Sequence, residues 1–282
     1  MEFKWAPAVA AGLLALTAFE APAIAGSVTQ PGETVGLATG APLPEGFYFV
    51  NTADWGCRNT SPDSTCLGVS IPVLAWSTPW TVFGARVQFL GAVPVAEVGV
   101  ANSTYLYGFY NPFLAGQLAW DLGNGFGFSY LLGAYIGVNT DVGFDSSSLN
   151  QRFALSYTAD GWNLTANLIW GIQADGNTST VNPDFLNLDL TATKTFGKWE
   201  IGPVGFYSTD LNNPVPFYQK QSQFALGGLV GYNFGPVILQ AYLTTDVYEE
   251  NYGGNDTRVW GRLIVPLGNP FAAPAPTRLV TK

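Results

Sequence analysis

The sequence has no histidine, only two cysteines and only 11% charged residues, and each scarcity removes a class of chemistry. Without histidine there is no Ser-His-Asp or Cys-His nucleophile and no histidine-bearing metal triad. Two thiols, Cys57 and Cys66, cannot by themselves close a tetrahedral zinc site, so no metal and no cofactor is expected. Eleven Lys and Arg against 20 Asp and Glu give a net charge of −9, which leaves no basic surface to neutralise nucleic-acid phosphates. Long apolar runs are missing too. Beyond the N-terminus none reaches the roughly 18 residues a membrane-crossing helix needs, so a helical bundle is not expected.

What is present is apolar residues at 48%, aromatics at 15% and 33 glycines, spread along the chain. That mixture suits many strands, tight turns and rings placed at membrane interfaces. The N-terminus has Lys4, an apolar run from Ala8 to Phe19, and Ala23-Ile24-Ala25 before Gly26, the layout of a cleaved export signal over residues 1–25. An anchor helix is the other reading, but Glu20 and Pro22 interrupt the run before it could span. Export leads to an oxidising compartment, so Cys57 and Cys66 are expected to form a disulfide in the first external loop.

From Glu45 onward, apolar and polar residues alternate in segments separated by Gly, Asn, Asp and Pro. In one, Leu186, Leu188, Leu190 and Ala192 share a face, while Asn187, Asp189, Thr191 and Thr193 share the other. Residues 47–54, 69–77, 81–100, 113–121, 125–138, 151–159, 162–173, 185–196, 199–208, 222–234, 236–247 and 256–266 give about twelve strands. Their connections alternate in length. Short ones lie at Ser77-Thr78-Pro79-Trp80, Leu122-Gly123-Asn124, Asp160-Gly161, Gly197-Lys198 and Gly235; long ones cover 55–68, 101–112, 139–150, 174–184, 209–221 and 248–255. An all-β, antiparallel transmembrane barrel over 45–267 predicts this, with short periplasmic turns, longer extracellular loops and an even strand number. A soluble barrel would carry Lys and Glu outside, and there is too little charge for that. Residues 26–44, with several Gly and Pro, are expected to be a periplasmic tail or to fold into the lumen; residues 268–282 are expected to be an irregular tail.

The stretches Asn187-Leu188-Asp189-Leu190-Thr191, Phe196-Gly197-Lys198-Trp199-Glu200-Ile201-Gly202-Pro203-Val204-Gly205-Phe206-Tyr207 and Leu226-Gly227-Gly228-Leu229-Val230-Gly231-Tyr232 have a recognisable pattern. Together with Gly46-Phe47-Tyr48-Phe49-Val50-Asn51, they resemble the MetA-pathway phenol-degradation family of outer-membrane proteins, itself distantly similar to fatty-acid and toluene channels. The resemblance implies a Gram-negative outer-membrane barrel that takes up small hydrophobic or aromatic compounds. It assigns no substrate residue.

The residues themselves offer lumen candidates. Arg86, Gln88, Asn163, Asn167, Asn187, Asp189, Arg258 and Arg262 fall on polar strand faces, and Phe206 and Trp260 are the inward rings suited to an aromatic path. Arg86, Arg258 and Arg262 would form a cationic strip, or else pair with Asp189, Glu200 or other inward acids and hold the lumen shut. Asp189 and Glu200 are also the only carboxylate pair suited to acid–base work, and an enzyme is not expected. The polar faces suit a hydrated or partly plugged lumen, and with a hydrated site at Asp189 an Arg there should be tolerated better than one at Leu188. Trp80, Trp120, Trp162, Trp170, Trp199 and Tyr207 read as interfacial girdle. Asp141, Asp145, Asp184, Asp246, Glu249, Glu250 and Asp256 fall in or near external loops and read as solvated, with calcium or bridging to lipopolysaccharide as the other reading. Passive uptake of a small hydrophobic ligand leads. A structural or adhesive barrel, a general porin and a secreted carbohydrate-binding sandwich are the alternatives. Lipid and lipopolysaccharide would surround all but the last.

Overall fold

The computed structural model describes residues 27–60, 64–100, 105–174 and 182–270. The export signal therefore lies outside the described residues, as does most of the C-terminal tail. Regular structure within them is β-strand throughout: β1 (Gly46–Arg58), β2 (Thr65–Val82), β3 (Ala85–Ala92), β4 (Val95–Val100), β5 (Leu106–Phe109), β6 (Phe113–Gly123), β7 (Phe126–Tyr135), β8 (Ser148–Tyr157), β9 (Trp162–Gln173), β10 (Phe185–Phe196), β11 (Trp199–Asp210), β12 (Ser222–Asn233), β13 (Ile238–Glu250) and β14 (Asp256–Gly268). Each pairs antiparallel with its neighbours, and β1 pairs with both β2 and β14, which closes the sheet on itself.

Fourteen segments make a barrel of twelve courses because two courses are broken. Both β3 and β4 pair with β2, interrupted at Val93 and Pro94. Next to them, β6 pairs with β3 and β5 with β4, interrupted at Tyr110, Asn111 and Pro112. Proline has no N–H to give a ladder, and at Pro94 and Pro112 the pairing lapses. Of residues 81–100, read from sequence as one strand, 85–100 form one course in two pieces while Thr81 and Val82 end β2, and residues 101–112, read as a loop, contain β5. A further correction concerns the first periplasmic turn. β2 continues past residues 77–80 to Val82, and the chain reverses at Phe83 and Gly84, both with positive φ.

The outward face of the strands is apolar and the inward face mostly polar, the reverse of a soluble barrel. On β13, Gln240, Tyr242, Thr244 and Asp246 are buried, while Leu239, Leu243 and Val247 are exposed. On β10 the buried set is Phe185, Asn187, Asp189, Thr191 and Thr193. An apolar exterior on a sheet that closes on itself through β1 is what hydrocarbon demands, since backbone groups there must find partners within the protein. Trp80, Trp162 and Trp199 are exposed at the periplasmic strand ends, where Trp120 also donates its indole N–H to the Phe83 carbonyl at 3.0 Å; Trp170 is exposed towards the other end. These rings sit where amphipathic aromatics favour the interface.

Cys57 and Cys66 form a disulfide. They are register partners within the β1–β2 ladder, so the bond links paired strands near the hairpin tip and does not close a separate loop.

Candidate functional site

The lumen is occupied by the chain's own segment 27–44, which winds through it before entering β1. Glycines let its backbone lie against the wall. A side chain on Gly40 would meet the Ser156 backbone nitrogen at 2.6 Å, and one on Gly127 would meet the Gly40 carbonyl at 2.7 Å. Asp189, 2% exposed, receives three of the segment's donors: Gly32 N and Thr34 N at 2.9 Å each, and Thr34 Oγ1 at 2.6 Å. Charge-assisted bonds of this kind are stronger than neutral ones.

Around that carboxylate the polar wall repeats the pattern. Asn150 donates to Thr29 Oγ1 at 3.0 Å, Asn163 to the Gly36 carbonyl at 3.1 Å, and Asn167 to Thr34 Oγ1 at 2.9 Å. Asn187 reaches Ser27 Oγ at 2.9 Å and the Thr29 carbonyl at 3.2 Å. Arg262 donates to the carbonyls of Val35 and Glu33, and also to Thr52, Gln240 and Tyr242. The segment's only charged residue, Glu33, pairs with Arg152 of β8 at 2.7 Å.

Two apolar clusters complete the interior. Val28 packs among Ile71, Ala92, Phe113, Leu131, Tyr135, Ile169 and Phe185. Val35 packs with Val204, Phe206, Leu229, Tyr242 and Trp260, where the Tyr242 and Trp260 rings stack 5.0 Å apart.

Behind the first cluster the ladders are interrupted at three prolines. The Pro72 carbonyl accepts from Val93 N, the Pro94 carbonyl from Tyr110 N, and the Pro112 carbonyl from Ile136 N, so three neighbouring courses meet at prolines that donate nothing in return. On the lipid side of that region lies an apolar hollow of about 500 Å³, lined by Phe89, Leu114, Gly116, Leu132, Ala134 and Leu149 among others.

The extracellular mouth is tied by ion pairs. Arg258 binds Asp54 and Asp256, and Arg58 binds Asp246 at 3.3 Å while its guanidinium lies 4.0 Å over the Tyr252 ring. Asp246 and Asp256 are therefore buried partners of arginines and not solvated acids, as read from sequence. In the covering loops, burial raises the Tyr252 hydroxyl above its ordinary range, and burial, followed by a hydrogen bond to Asp210, does the same for Tyr218.

These contacts settle where the sequence candidates sit. Arg86 does not join the other two arginines in a strip; it lies at the periplasmic rim, paired with Glu45 at 2.7 Å, next to buried Gln88, which donates to Ser77 Oγ at 3.3 Å. Arg258 does pair with inward acids, Asp54 and Asp256, but the arginines do not pair with Asp189 or Glu200: Asp189 serves the plug, and Glu200 accepts from Thr193 and from Gln240. The inner face at Asp189 is filled with protein, which removes the reason to expect an Arg to be tolerated there. Phe206 and Trp260 face inward beneath Gly32, with ring centroids 6.3 Å apart. Glu33 and Arg152 were not among the candidates. Their signal was present in the sequence, since each is the one charged residue in its segment.

The family described as "Putative MetA-pathway of phenol degradation" matches residues 48–263. The chain belongs to this family. No curated protein matches the sequence. Among solved structures, an outer membrane channel from Pseudomonas putida F1 superposes with a TM-score of 0.67 at 13% identity, over 84% of this chain and 99% of that one. The beta domain of the Bordetella autotransporter BrkA gives 0.49 at 12% identity over 79% and 100%, and the monoaromatic hydrocarbon channel CymD gives 0.46 at 10% over 83% and 91%. At these identities the likeness is one of fold, and the fold is that of a Gram-negative outer-membrane barrel.

Proposed function

We propose that this family member carries small hydrophobic or aromatic molecules passively across the outer membrane, and that they leave the lumen sideways into the lipid. The observation that supports this reading is an alignment of three features: the apolar cluster of Ile71, Phe113, Tyr135, Ile169 and Phe185 inside, the proline-interrupted courses behind it, and the apolar hollow outside. A general porin has no use for inward Phe and Ile, whereas an apolar solute gains about 25 cal/mol per Å² of surface it keeps from water. Lipid is then both the surrounding solvent, with lipopolysaccharide outside, and the destination. The hydrogen-bonded plug also suits a structural barrel with no conducting path.

One assay separates these readings. Protein reconstituted in vesicles with a lipopolysaccharide outer leaflet should speed the arrival of a toluene-like probe above the protein-free rate. Large steady ion conductance and sugar-driven swelling without a probe effect would establish a porin instead, and no effect of either kind a structural barrel.

A further inference from the structure

Most polar side chains on the inner wall have partners, but a pair at its outer end does not. Ser148 and Gln173 are register partners on β8 and β9. Ser148 is 3% exposed, and among the described residues its Oγ has no hydrogen-bond partner. Gln173 Oε1 and Nε2 are likewise buried and have none among the described residues. Polar atoms are seldom left this way, because burying them unpaired forfeits their bonds to water. Their surroundings are apolar rings. Tyr135 is the β7 partner of Ser148 and its ring lies 4.7 Å from that of Phe113, while the Phe185 ring covers Gly171, two residues before Gln173.

The chemistry of the pair narrows what could satisfy it. A carboxamide offers one acceptor and two donors, and a hydroxyl offers both functions, so the complementary group both donates and accepts. An ionic group is disfavoured. Asp184, whose Oδ1 accepts from Gln173 N at 2.8 Å, would repel an anion, and its Oδ2 is already taken by Asn212 at 3.0 Å. The arginine of this wall, Arg152, is committed to Glu33.

Resting on the uptake reading, we propose that Ser148 and Gln173 are the polar end of a solute site whose apolar end is the Phe113, Tyr135, Ile169 and Phe185 cluster. The site takes compact neutral molecules with an apolar body and one hydroxyl. Val28 of the plug occupies the apolar end, and a solute replaces it as the plug withdraws.

Benzyl alcohol and ethylbenzene match in shape and differ in the hydroxyl, so together they read the polar end. In the vesicle assay, Gln173→Met and Ser148→Ala should each lower the rate for benzyl alcohol about three- to tenfold, the range of one neutral hydrogen bond, and leave ethylbenzene unchanged. Ser148→Ala removes a single oxygen and serves if Gln173→Met fails the heat-modifiability test of folding. Equal losses for both probes, or no loss for either, would overturn the site while leaving the uptake reading intact. If the unsubstituted protein speeds neither probe, uptake fails. Calorimetric binding of benzyl alcohol to the detergent-solubilised full chain then decides the site alone, which stands if the variants weaken binding by that factor and falls if they do not.

Discussion

The two halves of the barrel wall treat the plug differently. From β8 to β14 it is gripped by polar groups: Asn150, Arg152, Asn163, Asn167, Asn187, Asp189, Gln240, Tyr242 and Arg262 all bond to it. From β2 to β7, Ser77, Gln117 and Ser129 bond to its periplasmic foot, Gly127 lies close against Gly40 and Ala41, Tyr135 reaches Thr29, and Val28 packs against apolar side chains. The gripping half has continuous strands, whereas the other contains both broken courses. On one wall the bonds to the plug run along its length; on the other they gather at its periplasmic foot and at Tyr135, with Val28 packed between them.

The sharpest way to break this asymmetry is to orphan a charge on the gripping side. Arg152→Met leaves Glu33 enclosed without its partner and should cost about 3–5 kcal/mol in urea unfolding from bilayers, with most of it recovered in the double variant with Glu33→Gln. Failure of the second change to rescue the first would mean that the pair does not fasten the plug. Next in size, Asp189→Ala removes one acceptor from three donors and should cost about 2–3 kcal/mol and expose the plug to protease, whereas Ser77→Ala on the other wall should cost about 1 kcal/mol or less. Comparable losses from the two would dissolve the distinction between the walls. The disulfide lies outside this contrast. Replacing Cys57 and Cys66 by serine should cost about 2 kcal/mol or less, since strand pairing already holds the hairpin, and should leave uptake unchanged. Thiol labelling of the unreduced, denatured parent should find no free cysteine.

Much of this architecture is legible in the sequence because lipid and lumen impose a period of two that turns cannot hide. Leu186, Leu188 and Leu190 against Asn187, Asp189 and Thr191 is enough to assign faces. What the alternation cannot convey is what fills the space the polar face encloses. Asn187 reads the same whether it meets water or Thr29, so the sequence does not separate a hydrated lumen from a plugged one, nor an arginine strip from arginines paired with acids. The two-piece courses escaped for a related reason. Pro94 and Pro112 mark breaks, but a break within a course and a loop between courses have the same composition. The outer ends of β1 and β2 were missed because Asn, Ser and Asp near Cys57 and Cys66 resemble loop residues, although there they extend a ladder.

The plug also constrains how the barrel is built. It precedes β1 in the chain, yet its partners lie far along it: Thr34 and Asp189 are 155 residues apart, and Arg262 reaches back 229 residues to Glu33. The sheet closes only when β14 zips onto β1, a contact that also joins Asp54 to Arg258 across 204 residues. The segment's inner bonds draw on β10 and β14 together, so its seat is complete only once strands from across the whole chain stand side by side. Seating it therefore carries the entropic cost of closing some of the longest loops in the fold, and should be a late and slow step.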